Sequence, residues 1–172
     1  MNFTPNNGLF YVLGGYMLKE LLDNCYEEIL NKDNLLEKSK MLVEKLFEGK
    51  TDKGGNPYMI HLLSVSYFME NETDKIVAIL HDVIEDTKVT KEDLSLLGYS
   101  SEIINAVEIL TRHNKEDYAQ YIDRLISSNN LTVLNVKLSD LKNNMDISRI
   151  KNPTAKDFSR IETRYRPSYV KI

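Results

Sequence analysis

Apolar residues recur every three to four positions through most of the chain after residue 16. This is the period of a helix with one buried face. The clearest example lies in residues 35–47, whose apolar positions are Leu35, Leu36, Leu42, Val43, Leu46 and Phe47. Polar capping residues and glycines separate the periodic segments. We therefore predict an all-α protein, folded as a single-domain bundle of roughly seven to nine helices.

The predicted helix boundaries depend on residues that cap helices. Asp33 or Asn34 is expected to begin the helix that Gly49 ends. Thr90 and Asp93 have the spacing of a capping box, in a short helix ended by Gly98. The other predicted starting points are, in chain order, Met17, Asn56 followed by Pro57, Thr73, Ser100 or Ser101, Asn114, Leu131 and Thr154.

Two segments depart from the helical pattern. Residues 1–16 contain Pro5 and three glycines and lack a basic start, so we expect a loose N-terminal extension and no signal peptide. Residues 132–136, and Val12 with its neighbours, would suit strands, but neither run has a turn-linked partner. A strand is therefore the less favoured interpretation of both runs, and the folded domain is predicted to span residues 17–172.

Composition narrows the class of protein. The 172 residues are 42% hydrophobic and 28% charged, as in an ordinary globular domain. A net charge of −4 without a basic block argues against DNA or RNA as a partner, but it permits a small phosphorylated ligand. No apolar run reaches the ~18 residues of a membrane span. The single cysteine, Cys25, excludes an internal disulfide and fits a cytoplasmic protein. The oligomeric state stays open.

Residues 81–86, with the sequence HDVIED, place a histidine and three acids in an apolar helix. The preceding residues 76–80 are all apolar, so the helix is expected to be buried. Burial of carboxylates without a partner is costly, and the nearest basic residues along the chain are Lys75 and Lys88. The acids also lie near the end of the helix that disfavours negative charge. A divalent cation is the simplest compensating group.

Ligands from other helices would complete such a site. His81 and Asp82 lie about 100° apart on a helix, so they converge on one ion only if other helices contribute. His61 and Asp140, both in apolar surroundings, are the two candidates. Two imidazoles and two carboxylates suit Mn²⁺, Fe²⁺ or Zn²⁺ better than Ca²⁺ or Mg²⁺. Without a thiolate, an open catalytic site is favoured over a closed structural one.

Each candidate also has a plainer explanation. A histidine such as His61 on an apolar face is more often a core residue, and an acid such as Asp140 is more often a cap. The joint pattern favours the metal site, because the acids of residues 81–86 cluster where water cannot solvate them. Glu85 and Asp86, one turn further along, are placed to act on a metal-activated water or on a leaving group.

Four stretches of the sequence resemble the HD-domain metal-dependent phosphohydrolases, and in particular the alarmone-hydrolase domain of the RelA/SpoT family and its small stand-alone members. They are GNPYMIH (55–61), AILHDVIEDT (78–87), ILTR (109–112) and KLSDLKNNM (137–145). Their order and spacing fit the family over residues 40–150. The combination of PYxxH, HDVIEDT and KLxD is specific, whereas a lone HD pair is not.

The resemblance implies the fold of the HD domain and a set of metal ligands. By it, His61, His81, Asp82 and Asp140 bind one ion, commonly Mn²⁺. The implied reaction removes pyrophosphate from the ribose 3′ position of guanosine tetra- or pentaphosphate (ppGpp or pppGpp), which gives GDP or GTP. This is a reaction of the stringent response.

The resemblance also implies roles for residues around the ion. Glu85 and Asp86 correspond to an acidic pair that activates or orients the water. Asn144 corresponds to a residue that lines the nucleotide pocket, and Lys50 to a basic residue at the base and phosphate end.

Several positions around the expected nucleotide pocket depart from the family pattern. Lys50 replaces an arginine of the long members and loses its planar contacts. Leu141 and Asp146 replace basic residues beside Asn144, and an acid facing the pocket would repel phosphate. Phosphate contacts would then come from residues that are equally well explained as solvated charges: Lys53, Lys137, Lys142 and Arg149.

Two alternative functions therefore stay open. One is an HD-type hydrolase of another nucleotide, such as a 5′-nucleotidase, an adenosine alarmone hydrolase or a phosphatase of an NADPH-type cofactor. The other is a non-catalytic module that binds a nucleotide or a partner.

Overall fold

The computed structural model describes residues 17–172, which form one bundle of helices. Within those residues the backbone forms no strand, only an isolated antiparallel bridge between Thr51 and Pro57. The predicted all-α fold is therefore confirmed, and residues 132–136 are helical. The predicted loose extension of residues 1–16, with the strand alternative inside it, lies outside the described residues.

The helices follow one another along the chain with short connections. They are α1 (residues 17–22), α2 (Tyr26–Leu30), α3 (Leu35–Leu46), α4 (Tyr58–Tyr67), α5 (Glu72–Leu80), α6 (Val83–Asp86), α7 (Lys91–Leu96), α8 (Ser101–Leu110), α9 (Tyr118–Ser127), α10 (Leu131–Met145), α11 (Ala155–Arg160) and α12 (Arg166–Lys171). A 3₁₀ turn, Asp23–Cys25, separates α1 from α2, and another, Ile147–Arg149, follows α10. A π-helical turn, Ile161–Tyr165, joins α11 to α12 into one continuous segment.

Several predicted helix ends are confirmed by their capping hydrogen bonds. The Asn34 side chain accepts a hydrogen bond from a backbone N–H in the first turn of α3. The Ser100 side chain accepts the equivalent hydrogen bond in α8. Thr90 and Asp93 form the predicted capping box of α7. Gly98 then ends α7 with φ at +89°, in the left-handed region that favours glycine. Local chemistry alone determines these boundaries.

Other predicted ends are wrong, because a different polar residue nearby makes the cap. Helix α5 begins after Asn71 and not at Thr73, since the Asn71 side chain accepts a backbone N–H of the first turn. Helix α9 begins after Asp117, which forms a capping box, and not after Asn114. The predicted first helix is also interrupted, because Asp23 adopts φ +48°. A right-handed helix does not accommodate that angle.

Helix α5 lies at the centre of the bundle, and its second half is buried on every side. Its residues 76–80 are at most 2% exposed, and it packs against α3, α4, α8 and α10. A helix that is apolar all round is stable only inside a protein. The chain therefore brings the residues after Leu80 directly into the interior, at the place where α4 and α10 also pass.

One carboxylate holds the loop of residues 50–57. Asp52 Oδ1 accepts two backbone N–H groups of the loop, at 2.8 and 2.9 Å, and Asp52 Oδ2 pairs with Arg149 Nη2 at 2.6 Å. Asn56 supplies one of those N–H groups and belongs to the loop. Helix α4 therefore begins one residue later than predicted, with Pro57 as its N-cap.

Substituting alanine for Gly54 is expected to destabilise the protein by roughly 2–4 kcal/mol, because a Cβ there would lie 2.1 Å from the carbonyl oxygen of Arg149. Gly55→Ala is the matched control. Its Cβ would meet open space, although φ is +84°, so its cost is about 1 kcal/mol. Urea unfolding of both variants measures the difference. Equal costs would contradict the close approach at Gly54.

Candidate active site

The HDVIED segment does not form the single continuous helix that the sequence predicts. Helix α5 ends at Leu80, and His81 and Asp82 form a turn before the four-residue α6. Asp82 has φ −99° and ψ 0°, a sparsely populated backbone conformation in which many active-site residues are found. The turn brings the two adjacent side chains together, with His81 Nε2 3.3 Å from Asp82 Oδ2. On an unbroken helix the side chains of His81 and Asp82 would point about 100° apart, and the turn removes that separation.

The four predicted metal ligands meet at this turn. His61 comes from α4 and Asp140 from α10, and the Nε2 atom of His61 lies 3.4 Å from Asp140 Oδ1. His81, His61 and Asp140 are buried, and their ligand atoms all lie within 4.8 Å of one another. Asp82 Oδ2 is 3.8 Å from His61 Nε2 as well as 3.3 Å from His81 Nε2. This cluster could therefore hold a metal ion.

The spacing of these donor atoms fits one ion. Two ligands that each lie about 2.1 Å from an ion are about 3.0 Å apart in octahedral geometry and about 3.4 Å apart in tetrahedral geometry. The separations between imidazole nitrogens and carboxylate oxygens are 3.3 to 3.8 Å. His81 Nε2 is also buried without a hydrogen-bond partner. A buried polar atom of this kind needs an explanation, and a cation supplies it.

Neighbouring acceptors orient both imidazoles. His81 Nδ1 lies 2.7 Å from the carbonyl oxygen of Ala78, and His61 Nδ1 lies 2.7 Å from Asn143 Oδ1. The Asn143 atom also accepts a hydrogen bond from Arg149, which identifies it as the amide oxygen. Because an amide oxygen can only accept, the His61 nitrogen is the donor. Each Nδ1 therefore carries the proton, and each Nε2 presents its lone pair to the cluster.

The electrostatic environment of the His61, His81, Asp82 and Asp140 cluster favours a positive charge. Burial alone would lower the pKa of His61, but the Asp140 and Asp82 carboxylates outweigh it and raise the pKa overall. Burial likewise opposes ionisation of Asp140, yet the Lys137 ammonium and the two imidazoles hold the pKa of Asp140 well below its usual range. The carboxylate is therefore ionised in the interior.

Lys137 is not the solvated charge or phosphate contact that the sequence suggests. Its Nζ is buried 2.8 Å from Asp140 Oδ2, against the rings of Tyr118 and Tyr121. Although burial alone would lower the pKa of Lys137, Asp140 raises it well above its usual value. Asn144 Nδ2 donates to the other oxygen, Asp140 Oδ1. Asp140 is thus fixed from both sides.

Glu85 and Asp86 are exposed, so the predicted burial of the whole segment is wrong for them. Both carboxylates are nevertheless held. The backbone N–H of Arg112 donates to Glu85 Oε2 at 3.0 Å, and Lys50 Nζ lies 2.8 Å from Asp86 Oδ2. The Lys50 ammonium also lies 4.4 Å from the centre of the Tyr58 ring. The compensating cations therefore come from distant parts of the sequence.

All of these acids face one cleft of about 450 Å³. Its lining includes three of the candidate ligands, His61, Asp82 and Asp140, together with Glu85 and Asp86. Asn144, predicted to line a nucleotide pocket, lines this cleft too. Four basic residues also line the cleft: Lys53, Arg149, Arg160 and Arg164. Acids that could hold a cation and basic residues that could attract phosphate thus share one space of small-ligand size.

Arg160 and Arg164 line the cleft, although the sequence analysis does not predict a role for either residue. The only sequence signal is their spacing of four, which places them on one face of a helix. The structure adds that the π-helical turn begins directly after Arg160 and contains Arg164. Such turns are often found at functional sites. In the described part of the chain neither guanidinium forms a salt bridge, and Arg164 lies 4.7 Å from the Tyr118 ring.

The other residues predicted to contact phosphate differ in whether they line the cleft. Arg149 lines the cleft but is engaged by Asp52 and by the carbonyl oxygen of Asn143. Lys53 lines it and donates to the Tyr165 hydroxyl at 3.2 Å. Lys142 lies outside it, over the Phe68 ring. Asp146 does line the cleft, with one oxygen held by the backbone N–H and hydroxyl of Ser148. Asp146 therefore meets the condition under which the sequence analysis expects an acid to repel phosphate.

Comparison with known sequences identifies relatives of the chain. It is 32% identical over 144 residues to the guanosine-3′,5′-bis(diphosphate) 3′-pyrophosphohydrolase of Vibrio cholerae, an alignment that covers 76% of this chain and 20% of that protein. It is 31% identical over 142 residues to the bifunctional (p)ppGpp synthase/hydrolase SpoT of Escherichia coli, covering 74% and 20%. The chain is a relative of the RelA/SpoT-type proteins. No family model matches it.

The RelA/SpoT relationship covers only part of those proteins. A third relative, the pyrophosphohydrolase of Borreliella burgdorferi, is 28% identical over 142 residues, which are 75% of this chain and 21% of the relative. The chain thus spans about a fifth of the length of the curated relatives that it matches.

Structural comparison confirms the fold. The solved structure of a metazoan ortholog of SpoT that hydrolyses ppGpp superposes with a TM-score of 0.67 at 19% sequence identity, over 81% of this chain and 85% of that one. Among residues 17–172, no helix combines the length and apolar character needed to cross a membrane.

Proposed function

We propose that the chain is a Mn²⁺-dependent hydrolase that removes pyrophosphate from the 3′ position of guanosine tetra- or pentaphosphate in the cytoplasm. The observation that carries this proposal is the cleft itself, whose lining combines residues of the candidate metal cluster with Arg160 and Arg164, which form no salt bridge within residues 17–172. The names of the relatives supply the substrate class. A nucleotide with phosphates on both sides of its ribose suits a cleft that could hold a cation and also offers arginines to phosphate.

His61, His81, Asp82 and Asp140 would hold the ion. The mixed nitrogen and oxygen donors, without a thiolate, suit Mn²⁺, with Fe²⁺ and Zn²⁺ as alternatives. When bound, a divalent ion supplies Lewis-acid polarisation of the phosphoryl group and of the attacking water. The Nδ1–H bonds described above keep both imidazoles in the tautomer that such an ion requires.

Glu85 is the proposed general base and Asp86 orients the water beside it. The water oxygen forms a bond to the phosphorus attached to O3′, and the bond between that phosphorus and O3′ breaks. Glu85 takes one proton of the water and passes it to O3′, which leaves as the 3′-hydroxyl of GDP or GTP while the remaining OH of the water stays on the released pyrophosphate. Because Arg112 and Lys50 fix the two carboxylates, the acids are oriented before the nucleotide binds.

The nucleotide would lie along the cleft. Lys50 is proposed to contact it near Asp86, and Asn144 to offer it the side-chain oxygen that faces away from Asp140. The far phosphates would lie against Arg160 and Arg164, because charge-assisted hydrogen bonds from arginine to phosphate are strong and directional. Asp146 on the same wall would disfavour a further phosphate there.

Product analysis tests the function. The Mn²⁺-loaded protein is incubated separately with guanosine tetraphosphate, its adenosine counterpart, a nucleoside 5′-monophosphate and NADPH, and products are separated by anion-exchange chromatography. We expect GDP and pyrophosphate in equal amounts, and faster turnover of the guanosine tetraphosphate than of any competitor. Preferential turnover of another nucleotide would replace the proposed substrate. Tight binding without turnover across Mn²⁺, Fe²⁺ and Zn²⁺ would indicate a binding module.

Replacement of Arg160 and Arg164 by glutamine is expected to raise KM roughly tenfold or more for each arginine, with a smaller effect on kcat, since a hydrogen bond to a charged group contributes about 1.5–3 kcal/mol. Lys156→Gln is the matched control, because Lys156 is an exposed cation on the same helical segment and does not line the cleft. Steady-state kinetics at saturating Mn²⁺ measure the change. An equal rise in the control would show a non-specific charge effect.

A further inference from the structure

Tyr58 connects the candidate metal cluster to the ion pair of Lys50 and Asp86. We propose that it is a positioning residue with two separable functions. Its hydroxyl orients Asp82 toward the ion, and the face of its ring holds Lys50 over Asp86. This inference rests on the proposed metal-dependent hydrolysis and deepens it.

The hydroxyl acts on the metal ligand that is least enclosed by protein. Tyr58 donates to Asp82 Oδ2 at 2.5 Å, and this is the oxygen that lies 3.3 and 3.8 Å from the two imidazole Nε2 atoms. The Asp82 side chain is 20% exposed, against 7% for Asp140, and it caps no backbone N–H. Asp140 is held by Lys137 and Asn144, whereas Tyr58 is the donor to Asp82 within residues 17–172. Without that bond, the carboxylate is free to turn toward solvent.

The ring acts on the other side. It stacks on the buried Phe47 ring with centroids 5.0 Å apart, which fixes its plane. Lys50 Nζ lies 4.4 Å from the centroid of Tyr58, where the aromatic face attracts a cation. The same ammonium lies 2.8 Å from Asp86 Oδ2. The backbone also joins the two residues, because the Tyr58 N–H donates to the Lys50 carbonyl oxygen at 2.9 Å.

Tyr58→Phe removes the hydroxyl and keeps the ring, so it separates the two functions. We expect the dissociation constant for Mn²⁺, measured by electron paramagnetic resonance without nucleotide, to rise roughly 10- to 100-fold, as is typical when a partner of a metal ligand is lost. At saturating Mn²⁺ the KM for the nucleotide should stay within about twofold of the unmodified protein, because Lys50 keeps its aromatic support.

Lys50→Met tests the ring side without touching the hydroxyl. We expect its KM to rise and its Mn²⁺ dissociation constant to stay unchanged. Tyr58→Leu should show both defects. If that variant does not fold, Lys50→Met still reports the ring side and Tyr58→Phe the hydroxyl side.

Tyr99→Phe is the matched control. Tyr99 is 4% exposed and its hydroxyl makes a hydrogen bond of 3.0 Å to Ser39 Oγ, in a part of the bundle away from the cleft. It should leave Mn²⁺ affinity unchanged. An unchanged Mn²⁺ dissociation constant in Tyr58→Phe, or an equal rise in Tyr99→Phe, overturns the inference while the proposed function stands. Failure of the unmodified protein to bind Mn²⁺ or to hydrolyse the nucleotide overturns the proposed function itself.

Discussion

An Asp82→Ala variant is expected to lose metal binding and nucleotide turnover together. Its Oδ2 is the carboxylate oxygen next to His81 Nε2, and its removal leaves two imidazoles and one carboxylate that is already shared with Lys137. Turnover should fall by at least about 10³-fold, because the loss of a ligand removes the Lewis acid as well as its position. Metal content by mass spectrometry and the rate of pyrophosphate release measure both effects.

The control for this variant is Asp74→Asn. Asp74 is a buried acid on α5, where its carboxylate accepts hydrogen bonds from the Thr132 hydroxyl, at 2.5 Å, and from the Asn71 side chain. Its substitution is expected to lower the free energy of unfolding and to leave metal content intact. A full rate in Asp82→Ala is incompatible with the proposed site, whereas loss of metal in both variants would indicate general unfolding.

A Glu85→Gln variant is expected to keep the metal and lose rate. Glu85 is exposed and is held by the Arg112 N–H, and a glutamine side-chain oxygen can still accept that hydrogen bond. The amide cannot take a proton from water, so kcat should fall by about 10² to 10⁴. Mn²⁺ titration and single-turnover rates separate the two effects.

Comparison of Glu85→Gln with Asp82→Ala distinguishes a general base from a metal ligand. If Glu85→Gln lost Mn²⁺ as Asp82→Ala does, Glu85 would be a ligand and not the base. A kcat equal to that of the unmodified protein would assign the base role to Asp86, which the Asp86→Asn variant then tests.

Local sequence patterns predict most of the fold. Helix α10 spans Leu131–Met145 as predicted, because its apolar period and the cap before it lie within one short segment. The proximity of His61 and Asp140 to residues 81 and 82 also follows from the sequence, since both are polar residues in apolar stretches. The errors at Thr73 and Asn114 arose where two polar residues compete for one cap. A single sequence does not rank such competitors.

Local sequence patterns do not predict which basic residues compensate the acids of the site. Along the chain, residues 81–86 have no cation in reach, yet in the fold Lys50 reaches Asp86, and Lys137 reaches Asp140. Arg160 and Arg164 reach the cleft only because the last helical segment returns along α10. Contacts between residues far apart in sequence depend on tertiary packing, which periodicity does not encode.

The ion pair of Lys137 and Asp140 has a consequence for the charge of the candidate metal site. Asp82 and Asp140 carry two negative charges, and the buried ammonium of Lys137 cancels one of them. Without an ion, the proposed site would therefore keep one uncompensated carboxylate and not two, which lowers the electrostatic cost of the empty cluster. A divalent ion would bring the same groups to a net charge of +1. That sign would favour a polyanionic nucleotide in a protein that is negative overall.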